Sequence, residues 1–320
     1  MPCVAAQGKE PAAEERVAVE VDGRRLTLSN LSKVLYPAVG FTKAEVIAYY
    51  SHAAPAVLDA TRERALTTVR YPNGVDGASF FEKNAPAHTP DWVRRVRLPA
   101  PGSGKDRGTI DYVVLDDRPT LVYEANLAAL ELHVPQWRVD GDGHPLPPDL
   151  LVIDLDPGPP AGVLECARVA LLLRDRLTAD GLTGWPKTSG SKGLQISVPI
   201  SAADEDRATD YARRLATDLA RTHPDAVVAT MTKSLRAGRV FLDWSQNRAA
   251  KTTVAAYSLR ARERPTVSTP VAWDELAAAV TPTDLVFTAP DVRDRLDRLG
   301  DLRADLFTDP RPLPPLVTPE

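Results

Sequence analysis

Two aspartates end the most apolar segment of this 320-residue sequence, LLVIDLDP at positions 150–157. Side chains alternate along a strand, so Asp154 and Asp156 should point to the same face. Two neighbouring carboxylates repel each other unless a cation lies between them. Pro157 ends the strand behind them, and the pair therefore favours a Mg²⁺ or Mn²⁺ site over the alternative, two solvated strand-end acids.

A second apolar segment, VFLD at 240–243, also ends in an acid, Asp243. Taken alone, Asp243 is only a strand-end carboxylate. Placed beside Asp154 and Asp156, it would complete a site for two divalent ions. Such a site activates a hydroxyl with one ion and holds a triphosphate with the other, which is the chemistry of nucleotidyl transfer.

The third motif is KTSGSKG at 187–193, two glycines and two serines around a lysine. Amides and hydroxyls of such a loop can surround phosphate oxygens. The loop precedes a strand and lacks the GxxxxGK[ST] spacing, which argues against a Walker-type ATPase. The alternative is an ordinary polar hairpin loop.

Composition narrows the class of protein. A chain of 320 residues with 43% hydrophobic residues forms one large domain or two small ones and needs no metal or disulfide to fold. Cys3 and Cys166 should be free thiols, and the five scattered histidines do not form a zinc motif. No apolar run of about 18 residues predicts a membrane span, and no basic N-terminal region predicts a secretory signal. We therefore expect a cytoplasmic, nucleoid-associated protein.

The net charge of −4 does not suggest a protein coated in nucleic acid, since such domains are usually basic. The charge is unevenly spread, however. Residues 271–310 are mainly acidic, whereas residues 230–264 carry a local excess of cations, which fits either a polyphosphate or nucleic-acid site or a solvated charged surface. These cations are Lys233, Arg236, Arg239, Arg248, Lys251, Arg260, Arg262 and Arg264.

The predicted elements mix strands and helices, which indicates an α+β fold with mainly antiparallel sheets flanked by helices. A hairpin turns at Asp22-Gly23, and Thr42 with Glu45 should cap a helix that runs to about Leu58. Residues 99–108 should form a mobile loop. Strands are predicted at 66–70, 112–115, 120–122, 150–155, 194–199 and 240–243, and helices at 124–132, 162–180, 203–222, 274–279 and 290–299.

The order of the three motifs resembles the archaeo-eukaryotic primase superfamily, and the closer match is to the polymerase domain of bacterial DNA ligase D. The resemblance implies a primase–polymerase fold for a domain at 17–308. The composition of the two ends predicts a disordered tail at 1–16 and a Pro-rich tail at 309–320. The segments that carry it are LSNLSKVLYP (28–37), FTKAEVIAYY (41–50), RYPNGVDGASFFEKNAP (70–86), EANLAALELHVPQW (124–137), DLDPGP (154–159), TSGSKGL (188–194) and VFLDWSQNRAAKTTVAAYSLRAR (240–262).

The resemblance implies that Asp154, Asp156 and Asp243 are catalytic and bind two Mn²⁺ or Mg²⁺ ions. It also implies a pocket for the incoming NTP or dNTP, in which arginine forks suit pairs of phosphate oxygens. Many relatives have histidine at position 195; the glutamine here can still donate a hydrogen bond to phosphate but cannot carry charge. The expected nucleotide-binding residues are Ser189, Lys192, Gln195, Arg236, Gln246, Arg260 and His133.

For DNA, the resemblance implies that Lys33 and Lys43 hold the 5′-phosphate at the far side of a gap. On its own, Lys43 is a cation in the first turn of a helix, which an anion bound there would stabilise. Two adjacent aromatics cannot both enter the core of a strand buried on one face, so one should be an exposed platform for a template base. The expected platform residues are Phe80, Phe81 and Lys83, with Arg70 beside them.

We therefore expect a template-directed polymerase that fills gaps and ends in non-homologous end joining, preferring ribonucleotides by family analogy. Its expected partners are DNA with gaps or double-strand breaks and 5′-phosphates, together with Ku and a DNA ligase. Two alternatives stay open: a primase that starts chains de novo, and a non-catalytic module that binds DNA ends. The Lys33/Lys43 pair disfavours the first and the three acids disfavour the second.

Overall fold

The computed structural model describes residues 15–99, 108–201 and 204–315. Most of the expected N-terminal tail and of the loop at 99–108 lies outside these residues. The strands are β1 (Arg16–Val21), β2 (Arg24–Ser29), β3 (Val34–Tyr36), β4 (Phe41–Thr42), β5 (Thr67–Arg70), β6 (Phe80–Glu82), β7 (Arg95–Pro99), β8 (Thr109–Val113), β9 (Ala129–Val134), β10 (Leu150–Pro157), β11 (Trp185–Thr188), β12 (Leu194–Pro199), β13 (Val227–Val228), β14 (Val240–Asp243) and β15 (Thr253–Val254).

The α-helices are α1 (Lys43–Thr61), α2 (Arg118–Asn126), α3 (Val163–Ala179), α4 (Glu205–Thr222), α5 (Trp273–Ala278) and α6 (Ala289–Leu299). Short 3-10 helices cover Pro37–Val39, Lys233–Leu235, Trp244–Asn247 and Pro282–Leu285. Across the residues that the structure describes, no helix is both long and apolar enough to cross a membrane.

A five-stranded sheet carries the acidic motifs. Its strand order is β11-β12-β10-β14-β13, antiparallel except for the β13–β14 pair. Leu151, Ile153 and Leu155 of the central strand β10 pack into the core formed with α3 and α4. Because side chains alternate along a strand, Asp154 and Asp156 point to the opposite face.

A four-stranded antiparallel sheet, in the order β15-β9-β5-β6, forms the second layer. Its core contains residues of α1, α2 and β9 and of the segment around 255–267. Phe287 packs against both cores. Three two-stranded sheets (β1-β2, β3-β4 and β7-β8) complete the sheet inventory of the described residues. The mixed helices and mainly antiparallel strands confirm the predicted α+β class.

Local signals in the sequence specify several elements. The hairpin β1–β2 turns at Asp22 and Gly23, which both have positive φ. Thr42 caps α1 as expected: its side chain accepts from the Glu45 amide, and the Glu45 carboxylate accepts from the Thr42 amide at 2.7 Å. β12 and β14 have the predicted bounds.

The predictions around residues 120–132 are wrong. Residues 120–122 lie in α2 rather than in a strand, because the Asp117 carboxylate caps the helix by accepting from the Thr120 amide at 2.8 Å. The predicted helix at 124–132 ends at Asn126, and the chain reverses at Ala128, whose φ is +59°. The Leu- and Ala-rich run that follows forms β9, because it pairs with β5 on one side and β15 on the other.

The Pro-rich C-terminal end is packed as far as residue 315. Arg311 forms a parallel bridge with Ile200 at the end of β12. The Arg207 guanidinium on α4 donates to the carbonyls of Leu313 and Pro314 at 2.6 and 2.9 Å. The expected tail from 309 therefore begins as part of the folded domain.

Thr42→Ala should lower the free energy of unfolding by about 1 kcal/mol, because it removes the side-chain acceptor at the N-terminus of α1. Thr42→Ser is the matched control, since it retains the hydroxyl, and it should lose much less. Chemical denaturation of the two variants would measure the difference; equal losses would show that the cap contributes nothing.

Candidate active site

Three carboxylates converge at one point of the five-stranded sheet. Asp154 of β10 lies opposite Asp243 of β14 in the strand register, and Asp156 follows on the same face of β10. Carboxylate oxygens of Asp154, Asp156 and Asp243 all lie within 4.8 Å of one another. The structure thus brings together three acids that are far apart in the sequence.

The electrostatics of this cluster are unfavourable without a cation. Burial raises the pKa of Asp154 to about 7, and the charges of Asp156 and Asp243 add to the rise. Burial and the charge of Asp243 also raise the pKa of Asp156, while Arg236 opposes that rise. Oxygen donors that repel each other in this way are the ligands that hard divalent cations prefer. The residues therefore fit a metal ion.

Two amides and a hydroxyl hold the carboxylates in place. Gln195 Nε2 donates to Asp154 Oδ1 at 2.9 Å. Gln246 Nε2 donates to Asp243 Oδ2 at 2.7 Å, and Ser245 Oγ donates to Asp243 Oδ1 at 2.6 Å. Gln195 and Gln246 were both expected to serve the nucleotide, and each has one amide hydrogen on an acid instead. A histidine at position 195 would be able to orient Asp154 in the same way.

A cavity of about 420 Å³ opens beside the acids, between the two larger sheets. It is acidic on one side and cationic on the other. Most of the residues expected at the metal and nucleotide sites line it, namely His133, Asp154, Asp156, Ser189, Lys192, Gln195, Arg236, Gln246 and Arg260. Ser191 of the KTSGSKG motif and Arg262 of the cationic segment line it as well, together with Thr252 and Thr253, which were not expected from the sequence.

The loop at 189–193 forms the cationic wall and is tightly built. Ser189 Oγ accepts from the amides of Ser191 and Gly193 at 3.2 and 3.1 Å. A Cβ on Gly193 would lie 2.1 Å from the Leu155 carbonyl oxygen, so only glycine fits there. Gly190 has a φ of +66° and a Cβ on it would lie 2.6 Å from the Val267 backbone. Gly193 therefore lets the loop lie directly against the acidic strand β10, and Gly190 lets it lie against the segment that contains Val267.

A buried network extends from the same wall. Arg260 Nη1 donates to the Ser189 carbonyl at 2.7 Å, and Arg260 Nε lies 3.1 Å from Glu131 Oε1. The other oxygen of Glu131 is 3.0 Å from His133 Nε2. His133 and Arg260 were both expected from the sequence, whereas Glu131 was missed. The ELH alternation on β9 was the available signal, since it places Glu131 and His133 on one face.

Lys187 is a second buried charge that the sequence analysis did not single out by itself. It lies in β11 rather than in the loop, and it is only 3% exposed. Burial, together with the charges of Arg303 and Arg260, lowers its pKa well below the usual value. Its Nζ donates to Ser268 Oγ at 2.6 Å. Lys187 lies opposite Gln195, which lies opposite Asp154 in the strand register, so it is on the same face of the sheet as the acids but does not line the cavity.

Both adjacent phenylalanines on the edge strand β6 are exposed, Phe80 by 56% and Phe81 by 60%. The Phe81 ring lies 6.5 Å from the His133 ring, and Lys83 Nζ lies 5.8 Å above the Phe81 centroid. Phe81 and Lys83 line an apolar groove that adjoins the cavity at Thr252. Arg70 is engaged elsewhere, because it donates to the Leu127 carbonyl and to Glu82.

Lys33 and Lys43 lie apart from the cavity but close to each other, since the Lys43 amide donates to the Lys33 carbonyl at 2.8 Å. Their side chains differ in exposure. Lys33 Nζ is exposed and donates to Asn73 Oδ1 at 3.0 Å. Lys43 is 5% exposed, and its Nζ donates to the Ser29 carbonyl at 2.6 Å. Only Lys33 presents its ammonium group at the surface.

A second acidic cluster lies in the turn at residues 140–144. Asp140, Asp142 and His144 have ligand atoms within 4.8 Å of one another. Asp142 and His144 are exposed, and Asp140 Oδ1 accepts from the backbone amides of both. These contacts are those of a turn at the surface.

The fold and the acidic cavity define a protein of the primase–polymerase class. Residues 42–303 match the LigD primase-polymerase domain family. The chain belongs to this family.

Similar proteins and a similar solved structure support this family membership. Multifunctional non-homologous end joining protein LigD of Mycolicibacterium smegmatis is 45% identical over 89% of this chain and 36% of that protein. The bifunctional LigD of Bacillus subtilis is 30% identical over 91% of this chain and 45% of that protein. The solved polymerase domain of Mycobacterium tuberculosis ligase D, in complex with DNA, aligns with a TM-score of 0.83 and 42% identity, covering 89% of this chain and 99% of that one. The chain thus spans less than half the length of these two LigD proteins.

Asp154→Asn should stabilise the metal-free protein at pH 8 by on the order of 2 kcal/mol. The folded-state pKa of Asp154 is about 7 and its ordinary value is 3.8. The folded state therefore loses stability as pH rises from about 4 to 7, and the loss is complete above 7. The stability gain of Asp154→Asn over the wild type should grow from about pH 4 to pH 7. It should disappear when Mn²⁺ is added to both proteins.

Thermal unfolding in a chelator, across a pH series, would measure this effect. Asp142→Asn, in the exposed cluster, is the matched control and should show no such pH dependence. The quantity to compare is the stability of Asp154→Asn minus that of the wild type at each pH. If this difference were no larger at pH 8 than at pH 4, the acids would not repel each other as described.

Proposed function

We propose that the chain is a template-directed nucleotidyltransferase that adds nucleotides at gaps and ends during non-homologous end joining. The single observation that carries the proposal is the convergence of Asp154, Asp156 and Asp243 beside a cavity with a cationic wall. A triphosphate needs both features, acids for its metal ions and cations for its oxygens. Membership in the LigD primase-polymerase family makes this the natural substrate class.

Asp154, Asp156 and Asp243 would hold two divalent ions, Mn²⁺ or Mg²⁺. Bound there, the ions supply Lewis-acid stabilisation of the phosphoryl oxygens and lower the pKa of an attacking hydroxyl. The protein's own contribution is to orient the carboxylates. Gln195 and Gln246 do this by donating to Asp154 and Asp243, and the hydrogen bond from Gln195 partly offsets the rise in the pKa of Asp154.

The incoming nucleotide would lie with its triphosphate against the loop at 189–193. Ser189 Oγ already accepts two amide hydrogens, so its own hydrogen is left to donate to a phosphate oxygen. Lys192 and Arg260 line the same wall and would pair with the remaining oxygens. Arg236 lies at the acidic side of the cavity, where its charge opposes the rise in the pKa of Asp156.

The templating strand would reach the cavity over β6. Exposed aromatic side chains stack on unpaired bases, and Phe81 stands between Lys83 and His133 at the cavity's edge. Arg70 would act indirectly, by bracing β6 through Glu82. Phe80 is equally exposed and is the second surface available to a base.

Gap and end filling is favoured over de novo priming by Lys33, whose exposed ammonium group lies away from the cavity. A 5′-phosphate bound there would mark the far side of a gap, and priming has no such group to bind. Preference for ribonucleotides, and association with Ku and a DNA ligase, are parts of the same proposal. They rest on the family and on the names of its relatives.

Asp243→Ala should abolish nucleotide addition, lowering the rate at least about a thousandfold, because one of the three carboxylates that would hold the ions is removed. Primer extension on a gapped duplex with Mn²⁺ and NTPs would measure it. Asp142→Ala, in the exposed cluster, is the matched control and should extend like the wild type. Near-normal extension by Asp243→Ala, with intact thermal stability, would refute the site assignment.

Lys33→Gln should weaken binding to a 5′-phosphorylated gap about three- to tenfold, since a charged contact to phosphate is lost, and should leave binding to an unphosphorylated gap unchanged. Fluorescence anisotropy with both substrates would separate the two cases. Arg168→Gln, a neutralised exposed cation on α3, is the control and should change neither affinity. Equal loss on both substrates would mean that Lys33 provides only general attraction to DNA.

A further inference from the structure

Glu131 is a buried carboxylate at the centre of the cationic wall, and none of the roles described so far uses it. It lies on β9 and is 7% exposed. Three groups meet its two oxygens: His133 Nε2 at 3.0 Å, Arg260 Nε at 3.1 Å and the Ala261 amide at 3.0 Å. Charges buried to this extent are found paired because an unpaired one is costly.

The charge state of Glu131 is fixed by these partners. Burial alone would raise its pKa, but the hydrogen bond from His133 and the charge of Arg260 outweigh burial and lower the pKa to about 2. Glu131 is therefore an anion throughout the pH range in which DNA is handled. Its negative charge lies against the His133 imidazole and the Arg260 guanidinium, which both line the cavity.

The two partners of Glu131 extend in different directions. On one side, the His133 ring lies 6.5 Å from the ring of Phe81, the proposed template platform. On the other side, Arg260 donates to the Ser189 carbonyl and so fixes the proposed triphosphate loop. Glu131 is the one described side chain that contacts both His133 and Arg260 among the hydrogen bonds and ion pairs of this wall.

The backbone makes the connection rigid. Glu131 and His133 occupy alternate positions of β9, which is paired on both sides with β5 and β15. The Ala261 amide donates to Glu131, and Tyr36 Oη donates to the Arg260 carbonyl at 3.1 Å. Side-chain contacts rather than a strand ladder thereby hold the segment 260–261, to β9 through Glu131 and to β3 through Tyr36.

We propose that Glu131 is a positioning residue that holds His133 and Arg260 at a fixed separation, so that the template platform and the triphosphate site stay aligned. This inference rests on the proposed function and deepens it. Glu131 touches neither nucleotide nor metal ion; it acts through the two side chains that line the cavity. Glu131 would thus influence both the pairing of the template with the nucleotide and the placement of the phosphates.

Glu131→Gln is the direct test, because it keeps the shape and an acceptor for the Ala261 amide but removes the charge. We expect the KM for the templated nucleotide to rise about tenfold and kcat to change less than about threefold. The preference for the matched over a mismatched nucleotide should also fall several-fold. A purely structural role would lower the amount of active enzyme without moving KM or that preference.

Glu275→Gln is the matched control. Glu275 also pairs with an arginine through both oxygens, Arg295 at 2.6 and 2.9 Å, but on α5 rather than on the cavity wall. It should leave KM and nucleotide preference unchanged. A tenfold rise in KM for Glu275→Gln as well would overturn the specific role of Glu131.

A second measurement avoids dependence on the folding of Glu131→Gln. His133→Gln and Arg260→Gln, alone and combined, are compared by the Kd for fluorescent ATP with Mn²⁺. If Glu131 holds the two together, the effects should be non-additive by at least about threefold; additive effects would overturn the inference. This measurement needs only nucleotide binding. If the wild type bound nucleotide but added none, the proposed function would be refuted, and the binding data would still decide the role of Glu131.

Discussion

Repulsion among three converging carboxylates is the constraint around which the rest of the structure is arranged. The register of β10 and β14 places Asp154 opposite Asp243, and strand alternation adds Asp156 on the same face. Burial and mutual repulsion raise the pKa of Asp154 to about 7. The fold tolerates this unfavourable cluster because the opposite face of β10 is anchored in an apolar core. A divalent cation bound between the carboxylates would relieve their repulsion.

The second sheet positions part of the cationic side of the cavity. Its strand β9 carries Glu131 and His133, and through them the segment with Arg260 is held against the loop at 189–193. The loop itself approaches β10 so closely that only glycine fits at Gly193. The acids of β10 therefore share a cavity of about 420 Å³ with cations of the 189–193 loop and of the segment 260–262, which suits a metal-bound polyphosphate.

Much of this arrangement was predictable from the sequence where a local rule decides the structure. Strand alternation predicted that Asp154 and Asp156 share a face, and the capping pair predicted the start of α1. Long-range pairing was not predictable in the same way. The run at 124–132 has helical composition but becomes β9 because β5 and β15 pair with it. Glu131 gained its role from the same pairing, and the burial of Lys43 depends on its contact with Ser29.

Anomalous diffraction at the manganese edge, from crystals grown with Mn²⁺ and a non-hydrolysable NTP, tests the central claim most directly. The account predicts manganese peaks coordinated by Asp154, Asp156 and Asp243, with the triphosphate reaching towards Lys192. A bound nucleotide without manganese at these acids, or manganese only at the exposed Asp140 cluster, would contradict it.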